Sequence, residues 1–255
     1  MVLAVDIGNT NIVIGCFDKE HIIFEERLST SRDSTSLEYA VIIKTVLELN
    51  DMSGDRFDGC IISSVVPSVT STVREALFRV LGKEPMTVGP GIKTGLNILL
   101  DDPGQLGSDR VADAVAVLNF YDCPAIIIDM GTATTVSVIN RKKEFCGGLI
   151  MPGVRLSLDS LSSRASQLPV ISLEPGKRLI GTNTIDCMKS GIVYGSAAAI
   201  DGVIDRIEEE IGEKCTVIST GGLSSRIVPF CRHDIIIDDK LLLKGLMIIY
   251  HKNNN

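Results

Sequence analysis

The chain has 255 residues, 45% apolar and 4% aromatic with no Trp, and carries 25 basic against 32 acidic side chains, a formal net charge of −7. That size holds one large or two moderate domains around a sizeable Ile, Val, Leu and Ala core, and the acidic balance excludes the basic footprint of a nucleic-acid-binding protein. No apolar run reaches the ~18–20 residues of a membrane span; the start opens into a strand with no basic leader; and the seven cysteines form no C-x-x-C pair, so they read as free, buried thiols of a reducing cytoplasm rather than a metal site.

Residues 2–28 read as three consecutive strands, with turns at Asp6-Ile7-Gly8-Asn9-Thr10-Asn11 and at Asp18-Lys19-Glu20-His21. In the first turn an apolar strand delivers an acid, a glycine and small hydrogen-bonding side chains, and Ile12 and Val13 begin the apolar strand that leads out. Gly8 admits a ligand close to the backbone. Successive N–H groups in such a turn make an anion-binding concavity. A carboxylate at the strand end suits a hydrated Mg²⁺, which takes one or two carboxylates plus phosphate oxygens. Asn and Gly are also ordinary turn residues, so this hairpin alone leaves both readings open.

A polar loop at 31–36 precedes Leu37, Val41, Ile42, Val46 and Leu49, which recur at helical spacing. After a connection at 51–58, residues 59–66 read as a buried strand. Pro67 opens a helix that Gly82 stops. Strand-strand-strand-helix-strand-helix predicts a mixed sheet with helices on its faces. Residues 88–95 are rich in Gly and Pro, 96–100 a short strand, and Asp101-Asp102-Pro103-Gly104 a turn. Gly107-Ser108-Asp109-Arg110 then opens a helix to about 120. An Asp in a first turn is favoured by the helix dipole, and the residues alone favour that structural reading of Asp109.

The second half begins near 122, which divides the chain into 1–121 and 122–255. Strands are expected at 125–129, 133–140 and 144–150, and the first pair carries Asp129-Met130-Gly131-Thr132-Ala133-Thr134-Thr135, the grammar of the first hairpin again. A repeat of domain size predicts two similar halves facing each other across a cleft, each offering an Asp and a Gly-containing turn. Arg141-Lys142-Lys143 reads as a solvated hairpin tip. A helix follows at 154–163, then an irregular stretch at 166–181. Asn183 or Thr184 can cap a long helix to about 210. Gly191, Gly195 and Gly202 inside it cost ~1 kcal/mol each against Ala. Close approach of another helix, within the subunit or across a dimer, should compensate. A strand at 215–219 leads into Thr220-Gly221-Gly222, and a short strand at 235–237 precedes a last helix to about 251 and a frayed tail at 253–255. His21, His233 and His251 match no motif and read as surface residues.

The two hairpins, Gly107-Ser108-Asp109-Arg110 and Gly147-Gly148-Leu149-Ile150-Met151-Pro152-Gly153, in this order and spacing, resemble type III pantothenate kinase of the acetate and sugar kinase, Hsp70 and actin superfamily. The resemblance runs nearly end to end. It implies an α/β fold of duplicated actin-like (ribonuclease H-like) domains, each a mixed sheet flanked by helices, with a nucleotide cleft between them. It implies ATP-dependent phosphorylation of pantothenate to 4′-phosphopantothenate, the first step toward coenzyme A, by a cytoplasmic homodimer.

The resemblance also implies roles. Asp6 organises Mg²⁺, and Ile7, Gly8, Asn9, Thr10, Asn11, Ile12 and Val13 cradle the ATP phosphates, with Gly131 and Thr132 opposite. Asp129 holds a monovalent cation, K⁺ or NH₄⁺, although the residues alone do not separate it from a second Mg²⁺ ligand. Gly221 and Gly222 lie against adenosine, and the turn at 147–153 shapes the floor of the cleft. Asp109 is the general base, Gly107, Ser108 and Arg110 bind substrate beside it, and Arg110 can hold a carboxylate in a bidentate pair. Thr184 binds substrate across the dimer, unless it is only a helix cap. Ser108 replaces the family's Ala, a small change on this reading. Leu100-Asp101-Asp102-Pro103 stands where the family often reads Tyr-Asp-Asn-Pro. Leu100 cannot donate that Tyr's hydrogen bond, and Asp102 adds a charge near an anionic substrate, so weaker pantothenate affinity is expected. The rivals are a non-catalytic accessory protein, which loss of Asp6, Asp109 or Asp129 would favour, a sugar or carboxylate kinase, and an actin-like assembly protein, which the lack of long insertions disfavours.

Overall fold

The computed structural model describes residues 1–19 and 21–254. The turn expected at 18–21 includes residue 20, and the tail ends at residue 255; both lie outside the described residues. The chain packs as two compact units: Met1–Leu96 with Asp101–Asn119 and Leu241–Asn255, and Asn97–Leu100 with Phe120–Lys240. The sequence pattern divides the chain once, at 121/122. By packing, 97–100 belong with the second unit and the last helix with the first.

In the first unit β1 (Val2–Ile7), β2 (Asn11–Asp18) and β3 (His21–Ser29) form an antiparallel meander. Helix α1 (Ser36–Leu49) starts in a capping box, in which Thr35 Oγ1 accepts from Glu38 N while Glu38 Oε2 accepts from Thr35 N at 2.6 Å. Strand β4 (Gly59–Ser64) runs parallel to β1, and α2 (Pro67–Leu81) begins at its proline and ends at Gly82, φ +66°. The two-residue strand β5 (Met86–Thr87) closes the sheet, ordered β3-β2-β1-β4-β5. It is too short for periodicity to reveal. Helix α3 (Ser108–Phe120) then follows.

The second unit opens with β6 (Asn97–Ile98), shorter than the strand expected at 96–100. Strands β7 (Ala125–Met130), β8 (Ala133–Ile139) and β9 (Glu144–Pro152) repeat the meander. Helices α4 (Val154–Arg164) and α5 (Thr184–Ile211) precede β10 (Thr216–Thr220), which is parallel to β7. A one-turn helix α6 (Ser224–Ile227) and β11 (Ile236–Ile237) complete a sheet ordered β11-β10-β7-β8-β9-β6. Helix α7 (Leu241–Asn254) returns to the first unit. The expected fraying is not found at 253: the Asn253 side chain bonds both Lys93 N and Lys93 O at 2.9 Å.

The centre of the first sheet, β1, β2 and β4, is buried on both faces. Leu3, Val5, Ile7, Ile12 and Ile14 pack with Tyr39, Ile43 and Leu47 of α1 and Val69, Val73 and Leu77 of α2. The alternate residues Val2 and Ala4, with Phe17 and Ile61, pack with Val111 and Val115 of α3 and Leu243, Leu246 and Ile249 of α7. Gly245 permits the α3–α7 approach, because a Cβ there would strike Ala112 O. In the second unit Ile126, Ile128 and Met130 pack with Val154 and Leu158 of α4 and Val193, Ala197, Ile200 and Ile204 of α5.

The internal repeat extends to burial. Strands β1 and β7 each bury every residue except a half-buried Asp at the fifth position. Asp6 lies between Val13 of β2 and Ser63 of β4; Asp129 lies between Thr135 of β8 and Thr220 of β10. The second hairpin is one residue tighter. On α5, among the described residues, nothing lies within 4 Å of a Cβ built at Gly191 or Gly195, and Gly202 meets only the Arg206 guanidinium. Helix packing within the chain therefore does not compensate these glycines, contrary to one of the two expectations.

Candidate active site

The turn after Asp6 closes through Gly8 N donating to Asn11 O at 3.0 Å. It is braced from the loop after β3. Thr30 N donates to Thr10 O at 2.9 Å, Thr30 Oγ1 donates to Gly8 O at 2.7 Å, and Arg32 reaches Asn9 Oδ1 at 3.3 Å. Tyr39 of α1 pins that loop in turn, donating its hydroxyl to Ser31 O at 2.7 Å and accepting from Ser31 N. Polar loop residues carry no periodic signal, so sequence alone does not single out Thr30 and Arg32. Asn9 and Thr10 are exposed, whereas Ile7 and Ile12 are buried in the core. Those two can meet a phosphate only through backbone.

From Asp6 a line of contacts leads to Asp109. Ser63 sits beside Asp6 in the sheet register, and its Oγ lies 3.0 Å from Ser108 Oγ at the start of α3. Ser108 Oγ also accepts from Ser64 N at 2.8 Å and lies 3.0 Å from Ser64 O. A hydroxyl has one proton and two lone pairs. With its proton given to Ser64 O, Ser108 must accept from both Ser64 N–H and Ser63 O–H. The replacement of Ala by Ser is thus not small in contacts.

The Asp109 carboxylate is half-buried. Its Oδ1 accepts from Arg110 N at 2.7 Å and folds back over Gly107, where any Cβ would collide with it. Burial pushes the Asp109 carboxyl above its ordinary value, opposed by the Arg110 N–H and guanidinium; burial also lowers Arg110.

In the second unit Gly131 N donates to Ala133 O at 3.1 Å to close the turn after Asp129, and Thr132 is exposed. The 220–222 turn packs directly on this hairpin. Gly221 has φ +89°, a Cβ there would overlap Asp129 Oδ1, and Leu223 N donates to Met130 O at 3.3 Å. Ser219 Oγ fixes the end of β10 by donating to Ile128 O at 3.2 Å. Gly153 presses on the other side, since its Cβ would meet Gly131 O at 2.7 Å. Leu100 lies over Gly147. Asp102 acts locally, accepting from Gly104 N and the Gln105 side chain, both at 3.0 Å, and so capping its own turn.

Cation chemistry follows from the donors. Asp6 and Asp129 offer carboxylate oxygens near the strand ends, each beside a glycine-containing turn. Oxygen donors without thiolate or imidazole fit hard ions such as Mg²⁺ and K⁺. The glycines at 8 and 221 are required by close packing, since a Cβ would crowd Asn11 O at 3.0 Å in the first case and Met130 N at 2.7 Å in the second.

Asn183, not Thr184, caps α5, accepting from Asp186 N at 2.9 Å. Thr184 is exposed and lines a cavity of about 780 Å³ with Leu161, Leu168, Cys187 and Met188. Two histidines correct the surface reading: His233 is half-buried and bonds Asp205 at 2.9 Å, and His251 packs near the rings of Phe17 and Tyr250. All seven cysteines are free, but Cys146 and Cys187 are exposed rather than buried. No helix among the described residues is long and apolar enough to cross a membrane.

Residues 2–206 match the family model described as type III pantothenate kinase. A protein of Halalkalibacterium halodurans named type III pantothenate kinase is 43% identical over 253 residues, 99% of this chain and 100% of that one. Among solved structures, a conserved Baf-family protein from Campylobacter jejuni superposes with a TM-score of 0.63 at 19% identity, covering 99% of each chain. A ROK hexokinase from Thermus thermophilus gives 0.53 at 12% identity over 98% of each chain. At those identities the two structures speak to the fold alone, which is that of the actin-like sugar kinases.

Proposed function

Because this chain belongs to the type III pantothenate kinase family, we propose that it transfers the γ-phosphoryl group of ATP to the pantothenate hydroxyl through Asp109. The product is 4′-phosphopantothenate, and the reaction opens coenzyme A synthesis. The observation that carries the assignment of the base is the Asp109 carboxylate itself, desolvated, oriented by Arg110 N–H and seated over Gly107. A carboxylate with a raised proton affinity is a better base than an ordinary one. Phosphoryl transfer asks for positioning and charge stabilisation more than covalent chemistry.

Asp109 takes the hydroxyl proton as the oxygen attacks the γ-phosphorus. Arg110 pairs with the pantothenate carboxylate. Backbone N–H groups of the turn after Asp6, with the Asn9, Thr10 and Asn11 side chains, hold the phosphates. Ile7, Ile12 and Val13 support that turn from the strands. Asp6 would hold Mg²⁺, which would supply neutralising charge to the phosphates, and Asp129 would hold K⁺ or NH₄⁺, while Gly131 and Thr132 face the phosphates. Gly221 and Gly222 face the adenosine. Thr184 and its cavity take part in substrate binding. The open face at Gly191 and Gly195 supports a homodimer built on α5. The chain works in the cytoplasm.

ADP release measured against pantothenate, acetate and common sugars, with Mg²⁺ and K⁺ present, tests the reading. Pantothenate alone should drive turnover. Turnover on a sugar would discard the substrate, and nucleotide binding without turnover on any acceptor would favour an accessory protein.

A further inference from the structure

We propose that Ser108 is a positioning residue, which with Ser63 sets the distance between the carboxylates of Asp6 and Asp109. The inference rests on the reading of Asp109 as base and deepens it.

The two carboxylates stand on different elements. Asp6 is the last residue but one of β1 and Asp109 the second residue of α3, far apart in sequence. What joins them is short. Asp6 lies in register with Ser63 and Ile7 with Ser64 on the adjacent parallel strand. Ser63, fully buried, gives its hydroxyl proton to Ser108 Oγ at 3.0 Å. Ser108 completes its valence on the backbone of Ser64, on N at 2.8 Å and on O at 3.0 Å. The next residue is Asp109.

Three hydrogen bonds on one hydroxyl leave Ser108 no second rotamer that satisfies them all. The first turn of α3 is therefore pinned to the end of β4, and β4 is pinned to β1 by the ladder. Ser64 is itself held, with its Oγ 2.7 Å from Thr70 Oγ1 and accepting from Val66 N at 3.1 Å. The clamp is built on strand and helix ends rather than on a mobile loop. Alanine at 108 would remove all three bonds and leave Ser63 Oγ and the Ser64 backbone without them. Asp109 would then be placed only by the helix. In-line transfer is sensitive to such placement, with about 100-fold lost for a displacement of about 1 Å.

The test uses the full chain and compares Ser108→Ala, Ser108→Thr, Ser63→Ala and Asp109→Asn by kcat, by KM for ATP and pantothenate, and by thermal unfolding. Ser108→Ala should lose about tenfold in kcat with both KM values within about twofold. Ser108→Thr, which keeps the hydroxyl, should recover most of it. Ser63→Ala, which leaves the two backbone bonds intact, should lose about two- to threefold with the same split. A Ser108→Ala kcat within twofold of the parent overturns the proposal, as does a loss that Ser108→Thr fails to recover. If Ser108→Ala unfolds at the assay temperature, Ser63→Ala decides, and an unchanged kcat there overturns it. Asp109→Asn keeps the two readings apart: parental turnover in that variant removes the base assignment, whatever the serine variants do.

Discussion

Gly221 lies so close to Asp129 that a single added carbon would overlap the carboxylate, and its φ of +89° is one that side-chain-bearing residues rarely adopt. The turn after β10 and the acid at the end of β7 are therefore one object. Gly221→Ala should cost at least ~1 kcal/mol from backbone strain alone. It should also push Asp129 out of place, raising KM for ATP about tenfold and removing the K⁺ activation proposed for Asp129. Parental K⁺ activation in a folded Gly221→Ala protein would detach Asp129 from the monovalent cation.

Thr30 braces the first hairpin from outside the motif, through Gly8 O and Thr10 O. Thr30→Ala keeps the backbone bond and loses the hydroxyl bond, a change of about 1 kcal/mol. KM for ATP should rise a few-fold with KM for pantothenate unchanged. Steady-state kinetics with each substrate varied separately checks it.

Asp109 should show a conflict between activity and stability. Its proton affinity is raised by burial, so the folded chain holds that proton more tightly than the unfolded one. The favourable contribution is full below the unfolded value of about 3.9. It is lost as pH rises through the higher folded value, leaving a desolvated carboxylate at neutral pH. Asp109→Asn removes that charge and should unfold at a higher temperature than the parent at pH 7, with the advantage vanishing near pH 3. Calorimetric scans at the two pH values measure this; a lower midpoint at pH 7 would show that the carboxylate's hydrogen bond outweighs its desolvation.

Thr35 caps α1, which carries the Tyr39 that holds the loop after β3, but no ligand-binding role is assigned to Thr35 itself. Losing its capping box should cost about 1 kcal/mol, read by urea denaturation, with kinetic constants unchanged.

Much of this architecture is legible in sequence because it is local. The strand–Asp-x-Gly–strand signature places Asp6 and Asp129 at corresponding strand ends, and the Pro67 and Gly82 boundaries of α2 follow from single residues. Other features depend on partners far along the chain. Nothing in the pattern of 241–254 says that α7 packs on α3 in the first unit. Ser63 and Ser108 meet across 45 residues, and Ser alone does not announce a partner. Ile7, inside the first motif, and Ile12, just after it, are buried in the core, because a strand alternates faces whatever its turn binds. The choice between Asn183 and Thr184 as cap turns on backbone geometry, which two adjacent capping residues leave undecided.

The most direct measurement follows label from [γ-³²P]ATP into pantothenate with the parent chain and with Asp109→Asn, each first shown to bind ATP. With Asp109 as the base, the parent yields labelled 4′-phosphopantothenate, and the variant does so about 10²–10⁴-fold more slowly at parental ATP affinity. Label transfer by Asp109→Asn at the parental rate would contradict that role.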